Sequence, residues 1–161
     1  MNAIVLYDSQ FGNTKMIAEA IHETINSKMP SELVNLTTAN PKTFEMPNLV
    51  ILGAPTQKFN AKETTIKFLN ELPDMVFENK KVAAFDTRIS LQHLKNRFLR
   101  FMVKLGGYAA KKIDKKMVKK GGTTIIDPEG FYVKDTEGPL LEAEIRRARD
   151  WGHRILENVS D

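Results

Sequence analysis

The chain alternates short apolar runs with longer stretches whose apolar residues recur every three or four positions, the pattern of strands alternating with amphipathic helices. Residues 2–7 read as a first strand, 14–28 as a helix stopped by Pro30, and Ser31 to Leu36 as a second strand. Asn48-Leu49-Val50-Ile51-Leu52-Gly53 is a continuous apolar run, as expected of a strand buried on both faces. Lys62 to Leu72 is a helix ended by Pro73, Lys81 to Asp86 a fourth strand and Thr123 to Asp127 a fifth. Leu140 to Asn158 reads as a last helix, with Leu141, Ile145, Ala148, Trp151 and Ile155 at helical spacing; Trp151 is expected in the core. Five strands joined by crossover helices predict an α/β fold, a doubly wound parallel sheet with helices on both faces, in one domain spanning 1–161.

The first turn carries the chemistry. Ile4-Val5-Leu6-Tyr7 runs through Asp8-Ser9-Gln10-Phe11-Gly12-Asn13-Thr14 into the helix that begins Lys15-Met16-Ile17. A phosphate at a helix N-terminus meets backbone N–H groups with no intrahelical partner and the positive end of the helix dipole. Ser9 and Thr14 add hydroxyl donors and Asn13 an amide, while Gly12 lets the backbone approach closely. The loop has neither the Gly-Lys-Ser/Thr of a Walker loop nor the three glycines of a dinucleotide fold.

Ser9-x-x-Gly12-Asn13-Thr14-x-x-x-Ala18-x-x-Ile21 resembles the flavodoxin signature. The resemblance implies strand order 2-1-3-4-5, FMN as the cofactor with its phosphate in this turn, and transfer of electrons between redox partner proteins. FMN and not FAD is expected, because there is one phosphate cradle and no second. Two further loops would flank the flavin ring. Pro55 and Thr56 match the family's Gly-x-Pro-Thr-Trp-Gly loop, which then departs: Gln57 replaces the stacking tryptophan and Lys58 the glycine, leaving Phe59 as the aromatic on that side. Lys58 lacks glycine's access to positive φ, so the peptide flip that accompanies flavin reduction in the family is expected to be costly here. In the loop Asp86-Thr87-Arg88, Thr87 and Arg88 are candidates for the pyrimidine oxygens, with Arg88 also able to stack on the ring; the alternative is that Arg88 pairs with an acid at the sheet edge.

Charge is unevenly distributed. The net charge is +4, yet residues 91 to 120 hold ten Lys/Arg against Asp114 alone, leaving 14 basic and 19 acidic residues elsewhere. Between Asp86 and Thr123 lie 36 residues, more than one crossover needs. Leu91, Leu94, Phe98, Phe101, Met102 and Leu105 share an arc of about 100° on a helical wheel, an amphipathic insertion at about 90–107. That arc needs a cover: the flavin edge, a second copy of the chain, a partner, a membrane surface or its own domain. A second helix, Tyr108 to Lys120, should bury Ala109, Ala110, Ile113 and Met117 and turn six lysines outward.

The stretch Gly130 to Leu140 reads as a return after the last strand, with Asp135 and Glu137 capping the final helix. No cysteine is present, and His22, His93 and His153 lack metal-ligand spacing. No apolar run approaches the ~18 residues of a membrane span, and Met1-Asn2 leads straight into the first strand, so a cytoplasmic protein is expected. A receiver-type signalling domain would need paired acids after strand one and an aspartate after strand three, where this chain has Asp8 and Gly53. Nucleic-acid binding has charge but no motif in its favour. The reading is a redox carrier rather than a substrate-specific enzyme; the alternative is an FMN-dependent quinone or NAD(P)H oxidoreductase whose open flavin face admits a small quinone-like acceptor.

Overall fold

A computed structural model describes residues 1–57, 60–89 and 108–160. The amphipathic insertion, Lys58, Phe59 and His93 lie outside the described residues. The elements are β1 (Ala3–Tyr7), α1 (Asn13–Asn26), β2 (Ser31–Asn35), 3-10 turns at Leu36–Thr38 and Pro41–Phe44, β3 (Leu49–Gln57), β4 (Asn60–Ala61), α2 (Glu63–Glu71), β5 (Lys81–Ile89), α3 (Ala109–Lys119), β6 (Thr123–Thr124), β7 (Glu129–Val133) and α4 (Glu144–Ser160). The parallel sheet runs β2-β1-β3-β5-β6, the expected order 2-1-3-4-5.

The fifth position of that order is filled twice. β6 pairs with β5 only at Lys81↔Thr123 and Val82↔Thr124. The ladder resumes on β7, parallel to β5 from Phe85↔Glu129 to Ile89↔Val133. The strand expected over Thr123–Asp127 is therefore short, and part of the expected return after it is a strand. Pro128 has no N–H to give to a ladder and marks the interruption. β4 adds a two-residue antiparallel pairing, Thr56↔Ala61 and Gln57↔Asn60, at the end of β3.

Alternation along the strands divides the core. Val5, Ile51, Ala83 and Phe85 face α1 and α4, packing on Ile17, Ile21, Trp151 and Ile155. Ile4, Leu6, Val50, Leu52 and Val82 face α2 and α3, packing on Leu69, Ile113 and Met117. Each fully buried large side chain contributes on the order of 1.5–3 kcal/mol. The Phe85 ring lies so close over Gly53 that a Cβ there would stand 2.0 Å from it, and Phe85 meets Trp151 edge-on at 6.0 Å.

Three expectations about the helices are corrected. α4 starts at Glu144, not Leu140, because Leu140 forms a bridge to Val133 and Ala143 sits at φ 69°. Asp135 and Glu137 do not cap it: the Asp135 carboxylate accepts from Thr136 N–H at 2.7 Å, and the Glu137 carbonyl faces α1. The buried acid at the helix start is Glu144, which accepts from Tyr132 N–H at 2.9 Å and from Arg147 at 2.6 Å. In α3 the four expected residues are buried, but the lysines are not uniformly outward. Lys116 donates to Asn70 at 2.5 Å, and Lys120 to the Leu72 carbonyl and to Asp74, tying α3 to α2. His22 contacts the Ser31 carbonyl, and no acid or histidine cluster suited to a metal occurs among the described residues. No helix among them is long and apolar enough to cross a membrane.

Candidate functional site

The carboxyl ends of β1, β3 and β5 open onto a cavity of about 480 Å3. In a doubly wound sheet, a crevice forms at this edge because neighbouring crossovers leave in opposite directions. Ser9, Gln10, Phe11, Asn13 and Thr14 line it from the first turn, Pro55, Thr56 and Gln57 from β3, and Thr87 and Arg88 from β5. Three loops chosen from the sequence thus meet at one place. Gly12 stands just behind the lining as the cap of α1, and Asp86 is buried beneath the wall. Ile89, Val133 and Thr136 also line the cavity; Val133 is brought there by β7 and Thr136 by the turn after it, in the stretch expected only as a return after the last strand. Among the described residues Phe11 is the one aromatic on the wall, and it is 43% exposed.

The first turn is held in a definite shape. Gly12 has φ 88°, a left-handed value that costs a residue with a Cβ about 1–2 kcal/mol. Its N–H donates to Ser9 Oγ at 3.1 Å, and no side chain caps the first N–H groups of α1. Of the hydroxyl and amide donors expected here, two also serve structural ends. Thr14 and Thr87 hydroxyls bond each other at 2.8 Å, joining the first and third loops; that bond uses one of their two protons. Asn13 Nδ2 donates to the Glu137 carbonyl at 3.0 Å, and Gly138, at φ 105°, lies so close that a Cβ would come within 2.5 Å of the Asn13 amide.

Behind the turn, Asp8 is a buried carboxylate with a full set of donors. Lys62 donates at 2.8 Å, Thr64 at 2.6 Å and Thr65 at 2.9 Å, so the start of α2 is fastened to the end of β1. The Lys62 charge offsets that of Asp8, so no unpaired carboxylate lies behind the first turn. Across the mouth, Gln57 Nε2 donates to Gln10 Oε1 at 2.7 Å.

In the third loop Arg88 has an acid partner. Its Nε and one terminal nitrogen donate to the two oxygens of Asp86 at 2.5 and 2.8 Å, so it pairs with an acid at the sheet edge while lining the cavity. Asp86 and Arg88, two residues apart on one strand, share a face, and Asp86 also accepts from Ala110 N–H at 2.8 Å. α3 thus takes a cap from β5, next to Ala109 N–H, which donates to Thr56 Oγ1 at 3.2 Å. The Arg88 guanidinium lies against the Gly130 backbone, where a Cβ would sit 2.2 Å from its carbon, and over the Tyr108 ring, 3.5 Å to the centroid. Burial pushes the Asp86 carboxyl above its ordinary range, with Arg88, Ala110 and Thr56 pulling the other way. Burial likewise raises the Tyr108 phenol, against the opposing charge of Arg88.

With the site in place, comparison with known proteins gives the family. The Flavodoxin domain model matches residues 4–105. A flavodoxin of Clostridium saccharobutylicum is 26% identical over 163 residues, covering 99% of this chain and 98% of that protein. Among solved structures, a flavodoxin from the domain Archaea superposes over the whole of both chains with TM-score 0.76 at 24% identity. Oxidised flavodoxin 1 of Bacillus cereus, 15% identical, covers 98% of each chain with TM-score 0.75. The chain belongs to the flavodoxin domain family. Its function is accordingly that of an FMN-binding electron-transfer protein, exchanging electrons with redox partners.

Proposed function

We propose that FMN is seated in this cavity with its phosphate on the turn Ser9–Thr14 and its ring between Thr56–Gln57 and Thr87–Arg88. The observation that carries the reading is the start of α1: Gly12 in the left-handed conformation and a first turn with no side-chain cap, facing a cavity of about 480 Å3. The donors present suit a phosphate dianion. Backbone N–H groups of the first turn, Ser9 O–H, the spare proton of the Thr14–Thr87 pair and the second Asn13 amide hydrogen supply neutral hydrogen bonds. The flavin supplies the electron chemistry. The protein's own share is to hold the phosphate, to place the fixed Arg88 charge near the ring, and to keep the Asp8 charge neutralised by Lys62.

Lys58 and Phe59 belong to the same proposed ring site by sequence position. The acceptors are redox partner proteins or a small quinone-like molecule, in the cytoplasm. Titration of the apoprotein with FMN and with riboflavin, read by flavin fluorescence, tests the seat: FMN is expected to bind at least about 100-fold tighter, since several hydrogen bonds to a dianion are worth about 3 kcal/mol or more. Equal affinities would overturn it.

A further inference from the structure

We propose that Asp86 is a positioning residue that sets the reduction potential of the flavin through Arg88. This rests on the seating of FMN given above. The carboxylate does two things at once: it fixes the guanidinium in the cavity wall, and it offsets part of the guanidinium's charge.

The fixing is geometric. A fork of two hydrogen bonds from Arg88 to Asp86, at 2.5 and 2.8 Å, sets both the position and the plane of the guanidinium. The Gly130 backbone and the Tyr108 ring then pack closely against it. Asp86 is itself held, because Ala110 N–H bonds Oδ2 at 2.8 Å and its side chain is fully buried. Arg88 is therefore a cation with little freedom to swing away from the cavity it lines, and its side chain is 11% exposed.

The charge argument follows from the stoichiometry of flavin reduction. A ring that takes up two electrons and one proton gains one negative charge. A cation in the wall stabilises that form over the oxidised one, and a carboxylate behind the cation weakens the effect. Removing the carboxylate charge while keeping its shape should raise the potential. Removing the cation should lower it.

The test is a redox titration of FMN-loaded wild type, Asp86→Asn, Arg88→Gln and Arg88→Lys with dithionite and mediator dyes, alongside FMN affinity and thermal unfolding of each apoprotein. Asp86→Asn is expected to raise the ratio of affinities for reduced over oxidised FMN about tenfold, and Arg88→Gln to lower it about tenfold, each about 30 mV for a two-electron couple. Arg88→Lys keeps the charge but not the fork, and should fall between wild type and Arg88→Gln. A merely structural pair would lower the unfolding temperature and weaken both redox forms equally, leaving the ratio unchanged. An unchanged ratio, or shifts of the same sign in Asp86→Asn and Arg88→Gln, overturns the proposal. Arg88→Lys equal to wild type overturns the positioning role even if Asp86→Asn fails to fold. Failure of wild type to bind FMN would instead overturn the seating on which the proposal rests.

Discussion

Arg88 and Asp86 form a pair that neither residue can leave cheaply. Removing one partner of a buried ion pair costs about 3–5 kcal/mol, mostly from the charge left behind. Arg88→Met should lower apoprotein stability by that order at neutral pH, measured by urea unfolding. The pH dependence has a definite sign. Burial already lifts the Asp86 carboxyl above 3.8 in the folded chain, and loss of Arg88 lifts it further. The folded state then holds the proton at pH values where the unfolded chain has released it. Stability of the variant should therefore recover as pH falls toward 3.8, and a variant that weakens further in mild acid would contradict the assignment. At Gly12 the strain is conformational, since the space around a Cβ there is open. Gly12→Ala should cost about 1–2 kcal/mol through the backbone alone and loosen FMN binding as the first N–H groups of α1 turn away.

The regular elements were legible where one pattern decided them. Val50, Ile51 and Leu52 form a short apolar run suited to a doubly buried strand, and Trp151 and Ile155 repeat at helical spacing on a buried face. Gly12-Asn13-Thr14 announced the first turn because its chemistry is local. The misread parts were decided by distant partners. Ile125 and Ile126 drew the fifth strand toward themselves, yet the ladder beside the upper half of β5 is completed by β7, whose alternation spans only five residues. The acids at Asp135 and Glu137 suited a cap by spacing, whereas Glu144 was chosen by the free N–H of Tyr132 on the sheet edge. The surroundings of Arg88 are set by Tyr108 and Gly130, 20 and 42 residues away in sequence, which no local pattern announces. The link between α4 and β7 makes a testable contrast. Glu144→Gln keeps an acceptor for Tyr132 N–H, while Glu144→Ala leaves that N–H unpaired and should cost about 1–3 kcal/mol more in chemical unfolding.

At the scale of the whole molecule, cofactor and fold are thermodynamically linked. A ligand bound only by the folded chain at 100 times its dissociation constant adds about 2.7 kcal/mol of stability. FMN at such an excess should raise the unfolding midpoint by that equivalent, and riboflavin at the same concentration should raise it far less. Equal shifts would place the phosphate elsewhere than the α1 turn.

The bonds around that turn also say when it is finished. Asp8 takes its partners from 54 to 57 residues downstream, Thr14 from 73 and Asn13 from 124. On a chain made from N- to C-terminus, the loop of residues 8–14 is thus made well before the partners that hold it, the last of them being the turn bearing Glu137 and Gly138. Contacts of such long sequence separation form late, because their loop-closure entropy is recovered only once the intervening chain has folded. The amides of residues 9–14 should therefore exchange with solvent in the same opening that releases residues 135–139, a coupling that hydrogen exchange would read.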